Sequence, residues 1–268
     1  MISGYLTTTL CMKQIVLVKL GGSAITDKSK SKTINLTVLK QLAQELKRAK
    51  LPLLLSHGAG SFAHRSAEKY GGKKGYTTTK GIAQVASDVR ELNFLVTKTL
   101  IDAGLPAIAI SPMSMIFTDK GEIVQQNFAI IEEMLTQGLV PVVYGDVLWD
   151  QSWKSTIFSG ETTLNHIAIY LQEKGYTVRE VIQVGNTSGV YNAKGKTIPS
   201  ITSASWPTLQ KNITTSTTID VTGGMQHKVE EALKLTSYHI PTTLINGTKK
   251  FELLHALTGK NAHATHIS

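Results

Sequence analysis

Residues 51–64 read LPLLLSHGAGSFAH. An apolar run, Leu53 to Leu55, leads into a glycine-rich turn at Gly58 and Gly60, and Phe62 and Ala63 follow as the opening of a helix. A strand that is apolar at every position is buried on both faces, which is the habit of parallel sheets covered by helices. The glycines let the backbone approach a ligand closely, and a helix start leaves unpaired N–H groups where an anion is favoured. Gly58, Gly60 and Ala63 also satisfy the loose dinucleotide pattern G-x-G-x-x-G/A, but the acidic residue that should follow on a second strand is missing, since Asp88 falls within a helical stretch.

Outward from this stretch the hydrophobic pattern alternates strand and helix. Strands are predicted over 14–20, 52–56, 106–111, 140–144, 178–184 and 242–245, and helices over 35–50, 81–103, 128–137, 162–174 and 223–237. The second helix is typical, with Ile82, Val85, Ala86, Val89, Leu92, Leu95, Val96 and Leu100 at helical spacing. Hairpins are expected over 114–126, turning at 119–121, and over 190–199, turning at 192–195. The polar, glycine-rich segment 71–80, GGKKGYTTTK, reads as a mobile loop or lid. The expected fold class is α/β: a single three-layer αβα sandwich with a mostly parallel central sheet, spanning 13–268 behind a loose extension over 1–12.

Composition narrows the function classes. The 268 residues suffice for one large core, and the single cysteine, Cys11, excludes both an internal disulfide and a multi-cysteine zinc site. A reducing, cytoplasmic setting is the natural expectation. The apolar runs are strand-sized, far short of the roughly 20 residues of a membrane span, and the N-terminus lacks the features of a signal peptide. A net charge of +9 suits nucleic acid, an anionic surface or a phosphorylated substrate. The basic residues are scattered and do not alternate with aromatics as a base-stacking platform would, so nucleic acid and membrane are not expected partners.

Further glycine turns point to phosphate. Lys19-Leu20-Gly21-Gly22-Ser23 closes the first strand with a lysine and a pair of flexible N–H donors. Asp220-Val221-Thr222-Gly223-Gly224-Met225 opens a helix with its first amides free, and Lys228 lies on its early turns. Gly145-Asp146 and Ser159-Gly160-Glu161-Thr162 each put a carboxylate at a strand end or helix start. Gly195-Lys196-Thr197 is not a P-loop, because Val190 stands where its first glycine belongs. No set of metal ligands is read from the sequence; the eight histidines are spread too thinly for a cage.

Taken in order, Lys19-Leu-Gly-Gly-Ser23 with Thr26-Asp27-Lys28, His57-Gly-Ala-Gly-Ser-Phe-Ala-His64, Gly145-Asp146, Ser159-Gly160-Glu161 and Asp220-Val-Thr-Gly-Gly-Met225 with Lys228 resemble the amino acid kinase superfamily, and within it the isopentenyl phosphate kinases. The resemblance runs from about Lys13 to Leu257, and His64 is its sharpest mark, pointing to an acceptor that is itself a phosphate or phosphonate. It implies transfer of the γ-phosphoryl group of ATP, with Mg2+, to isopentenyl phosphate, in a homodimeric enzyme. It further implies that Lys19, Gly21, Gly22, Ser23 and Gly60 face the nucleotide phosphates, that Gly224 and Lys228 clamp ATP, and that Lys28 stabilises the group in flight. Ala59, His64, Gly160 and Glu161 then fall on the substrate side.

The chain departs from the family pattern in places. Ala63 replaces a glycine before the histidine, Glu161-Thr162 stands for two aspartates, and Asn186-Thr187-Ser188-Gly189 replaces Asp-x-Asp-Gly. Two alternatives stay open on the sequence: a kinase of the same fold for a phosphonate such as fosfomycin, and a non-catalytic nucleotide sensor. The helix from Gly81 and residues near Phe62 and Ile116 are the expected walls of an apolar acceptor pocket.

Overall fold

The computed structural model describes residues 13–72, 75–76, 78–213, 224–260 and 262–268. The expected extension over 1–12, with Cys11, and Asp220 to Gly223 lie outside the described residues. The strands are β1 (Gln14–Leu20), β2 (Leu53–His57), β3 (Gly71–Gly72), β4 (Gly75–Tyr76), β5 (Ala107–Ala109), β6 (Ile116–Asp119), β7 (Glu122–Gln126), β8 (Val140–Tyr144), β9 (Asp146–Asp150), β10 (Lys154–Phe158), β11 (Thr177–Gly185), β12 (Ser200–Ile201), β13 (Thr242–Asn246) and β14 (Ala264–Ile267). The helices are α1 (Gly22–Ile25), α2 (Leu36–Ala49), α3 (Gly60–Tyr70), α4 (Thr79–Asp102), α5 (Ala129–Thr136), α6 (Gly160–Glu173), α7 (Trp206–Leu209), α8 (Gly224–Thr236) and α9 (Glu252–Leu257).

The main sheet runs β12-β14-β13-β11-β1-β2-β8-β5. It is parallel from β13 to β5, and β14 turns antiparallel on β13. Alternation along β1 divides the core. Val16, Val18 and Leu20 pack with α2, α4 and α9, while Ile15 and Leu17 pack with α5, α6 and Leu235 of α8. Burying each such aliphatic side chain contributes about 1.5–3 kcal/mol, and the double-sided arrangement explains why the central strands carry no polar alternation. Lys19 breaks the apolar run on the α6 face, at the carboxyl end of β1.

Helix starts follow local chemistry. The Asn35 side chain accepts from the Val38 N–H, Thr78 from Gly81 and Ser159 from Thr162, each capping an otherwise unpaired amide. The expected hairpin over 114–126 is present as β6 and β7, with Lys120 and Gly121 both at positive φ, as a two-residue turn requires. That hairpin belongs to a second sheet, β10-β9-β6-β7, which the sequence reading did not anticipate. Only Gly145 separates β8 from β9, and the expected strand over 140–144 ends where β8 does, leaving β9 unanticipated.

The expected hairpin over 190–199 is reduced to a bridge between Tyr191 and Thr197. Its turn is held by the Asn192 side chain, which accepts from the N–H groups of Lys194 and Lys196. Part of the expected lid is packed rather than loose: β3 and β4 pair, Tyr76 is buried, and its N–H donates to Ser155 Oγ of β10. His263 and His266 are exposed, and His266 sits on β14 within the main sheet.

Candidate active site

Glycine turns meet backbone to backbone at the carboxyl ends of β1, β2 and β8. A Cβ on Gly22 would lie 2.6 Å from Gly60 Cα, and one on Gly160 would lie 2.5 Å from the His57 carbonyl oxygen. Gly60 has φ +51°, and a Cβ there would strike Thr26 Oγ1 at 2.3 Å. Any side chain at these points would push the loops apart, which is why glycine stands there. The turns are stitched by Gly21 N–H to Val184 O, Gly58 N–H to Leu20 O and Gly145 N–H to His57 O.

Charge is organised around Glu161, the second residue of α6. Its carboxylate accepts from the Lys19 ammonium, and both residues are buried. Burial alone would raise the carboxyl's pKa, but the neighbouring charges of Lys19 and Lys228 outweigh it and hold the group at about 2. The α6 N-terminus adds its favourable dipole. His57, fully buried and stacked on Tyr144 with ring centroids 5.4 Å apart, is held neutral by burial, its pKa lowered to about 4. His57 is thereby a packing residue, while His64, four residues into α3, is half-buried at the cavity.

One cavity of about 330 Å³ brings together Lys19, Gly21, Gly22, Ser23, Lys28, Ala59, Gly60, His64, Gly160, Glu161 and Lys228. Its remaining walls are mostly apolar: Ala63, Ala67, Tyr76, Val85, Val89, Val147, Ile157 and Phe158. Val85 and Val89 are on the anticipated helix and Ala63 adjoins Phe62, while Phe62 and Ile116 themselves each pack into a hydrophobic core. Tyr76, Val147, Ile157 and Phe158 were missed by sequence reasoning, since they come from the second sheet and the strand packed on it. Asp146 also faces the cavity; burial raises its pKa, against hydrogen bonds from Ser111 Oγ and the Val147 N–H.

A neighbouring cavity of about 820 Å³ shares Ser23, Lys28 and Lys228 with the first and adds Gly224, Met225, Asn186, Thr187 and Tyr191. Gly224 therefore sits apart from the glycine turns of the other half, with Lys228 lying on both cavities. Ser188, at a position where the family pattern has aspartate, accepts from Lys249 Nζ at 3.2 Å, and its N–H donates to Tyr191 Oη. Glu161, expected on the substrate side, lines the first cavity with Ala59, His64 and Gly160, its carboxylate paired with Lys19.

The model of the amino acid kinase family matches residues 14–246. The isopentenyl phosphate kinase of Methanothermobacter thermautotrophicus is 31% identical, over 95% of this chain and 99% of its own length. That of Methanocaldococcus jannaschii is 30% identical, over 92% of this chain and 96% of its own length. Among solved structures, an X-ray structure of isopentenyl phosphate kinase superposes with a TM-score of 0.80 at 28% identity, covering 95% of this chain and all of that one. With the family's model spanning both halves of the cavity and these relatives matching nearly end to end, the chain belongs to the amino acid kinase family and groups there with the isopentenyl phosphate kinases.

Proposed function

We propose that this protein transfers the γ-phosphoryl group of ATP to isopentenyl phosphate, giving isopentenyl diphosphate and ADP. One observation carries the reading: Lys19, Lys28, His64 and Lys228 line a single cavity whose other walls are apolar. Both reactants are anions, so positioning and electrostatics do nearly all the work of phosphoryl transfer. The lysines and the helix-start amides of Gly22 and Gly60 suit the nucleotide phosphates, Gly21 allowing close backbone approach while its own N–H is bonded to Val184 O, and Lys28 suits the charge that develops on the group in flight. His64 and the Ala59 backbone hold the acceptor phosphate, while Val85, Val89, Val147 and Ile157 enclose its hydrocarbon tail. The second ionisation of a phosphate monoester lies near about 6, so the acceptor oxygen is already a nucleophile at neutral pH. His64 therefore acts as a hydrogen-bond donor and no general base is needed.

Magnesium belongs to the same reading. Among the described residues no three His, Cys, Asp or Glu side chains converge, and both carboxylates of the cavity are engaged, Glu161 by Lys19 and Asp146 by Ser111. These donors fit an ion carried in on the nucleotide phosphates and hydrated, the usual habit of Mg2+. When bound there it supplies charge neutralisation between the phosphates.

A homodimer and a cytoplasmic setting complete the proposal. Phe94 and Ile101, seven residues apart on one face of α4, are 66% and 52% exposed, and Ile108 of the edge strand β5 is 43% exposed. An apolar face of this kind on an edge favours a second copy, which sedimentation measures directly. Among the described residues no helix is long and apolar enough to cross a membrane. The deciding assay is ADP release with isopentenyl phosphate, dimethylallyl phosphate, fosfomycin, N-acetylglutamate and UMP. Preference for any of the last three defeats the proposal.

A further inference from the structure

Across the middle of the sheet, β8, β2, β1, β11 and β13 carry Val143, Ser56, Lys19, Gln183 and Leu244 at one level. Adjacent strands lie about 4.8 Å apart, and this row faces α6 and α8. Ser56 Oγ donates to the Gly160 carbonyl oxygen and Lys19 is paired with Glu161. Gln183 is different. It is 4% exposed, and among the described residues neither Nε2 nor Oε1 has a partner. Burying an amide with nothing bonded to it is costly, and an apolar side chain of the same shape would remove that cost.

Beside Gln183 lies a separate cavity of about 10 Å³, lined by Lys19, Thr187, Met225, Lys228 and Leu244 among others. That is the room one water needs. The same small space thus touches two of the three lysines that line the large cavity, Lys19 and Lys228, and a buried amide that, among the described residues, is hydrogen-bonded at neither end.

We propose that Gln183 is a positioning residue for the phosphate-facing lysines: its carboxamide, through one water in this cavity, steadies Lys19 and Lys228 without cancelling their charge. The water accepts a lysine N–H and donates to Gln183 Oε1. Neutrality is the point of the amide. Glu161 already offsets one positive charge, and a second carboxylate in the row would offset another, leaving less to attract an anion. An apolar residue would leave the water without its anchor. The inference rests on the reading that the lysines face the nucleotide phosphates.

The test is calorimetric binding of a non-hydrolysable ATP analogue with Mg2+ to wild type, Gln183→Met and Gln183→Glu, together with the KM for ATP, the acceptor KM and kcat. Gln183→Met is expected to weaken nucleotide binding about 3- to 10-fold, the worth of one hydrogen bond, and to raise the KM for ATP while kcat and the acceptor KM hold. Gln183→Glu is expected to weaken nucleotide binding more than about 30-fold, a full charge outweighing one hydrogen bond. If buried charge prevents Gln183→Glu from folding, Gln183→Met carries the test. Wild-type nucleotide affinity in Gln183→Met, with a raised unfolding midpoint, overturns the proposal. If the wild type itself binds no nucleotide, the functional reading fails instead. A crystal structure then decides this inference: a water bonded to Gln183 beside the lysines supports it, and an amide bonded only to protein overturns it.

Discussion

Replacing Glu161 by glutamine removes the buried anion that pairs with Lys19. The carboxyl is held at about 2 against an ordinary 4.5, the attraction of Lys19 and Lys228 outweighing the burial that opposes it. At 1.36 kcal/mol per unit, that difference corresponds to about 3 kcal/mol of net stabilisation, in line with the ~3–5 kcal/mol typical when a buried ion pair loses one partner. Urea unfolding at pH 7 is expected to find Glu161→Gln less stable by about 3 kcal/mol. The folded pKa is depressed, so the contribution is full above 4.5 and is lost as pH falls toward 2. At pH 3 the gap between wild type and variant should have narrowed to about 1 kcal/mol. Saturating ATP analogue should narrow it at pH 7 as well, because phosphate oxygens replace the missing carboxylate. A gap below about 1 kcal/mol at pH 7, or one that does not shrink on acidification, refutes the electrostatic account.

Two variants divide the cavity by reactant. Lys28→Ala is expected to lower kcat by about 2.7–4 kcal/mol of transition-state stabilisation with little change in the KM for ATP, whereas His64→Ala should lose acceptor turnover and still bind ATP by calorimetry. Gly60→Ala meets Thr26 Oγ1 at 2.3 Å at a positive φ, so its unfolding midpoint and its nucleotide affinity should fall together. His57 is held neutral, its pKa near 4 against an ordinary 6.5; stability is therefore full above 6.5 and falls with acidification toward 4, by about 1.4 kcal/mol per pH unit at its steepest. His57→Gln should flatten that part of the stability profile, measured by urea unfolding between pH 7 and 5.

The central sheet was legible because burial on both faces writes itself as solid apolar runs: β1 and β8 have the bounds that the pattern predicts. The second sheet was only half so, for a physical reason. The hairpin of β6 and β7 carried its turn signal, but Phe117, Val124 and Trp149 leave apolar side chains exposed in that sheet, and β9 follows β8 after a single glycine, so nothing marks β9 and β10 as strands of their own. The cavity was half legible on the same grounds. Glycines and lysines at strand ends announce an anion because few other roles need that combination. The apolar walls Tyr76, Ile157 and Phe158 have no such signature, since a pocket lining and a core position have the same composition. Gln183 escaped because one polar residue near the end of an apolar strand carries no periodic signal, and its meaning depends on Lys19 being its neighbour across two strands distant in sequence.

On the proposed reading the turn from Ala59 to Ala63 has nucleotide phosphates on one side and the acceptor on the other, so backbone rather than side chains sets the separation of the reacting groups. Gly22 and Gly60 leave no slack in that backbone, their main chains being within a methyl group of each other. The tail-enclosing walls come from α4 and from β9 and β10, elements that contribute none of the lysines. Chemistry and selectivity are therefore carried by different parts of the chain. Substitutions at Val85, Val147 or Ile157 should then exchange one alkyl phosphate for another at nearly constant affinity for ATP. Substitutions in the glycine turns should affect both reactants at once, and no rearrangement of the apolar walls should compensate for them.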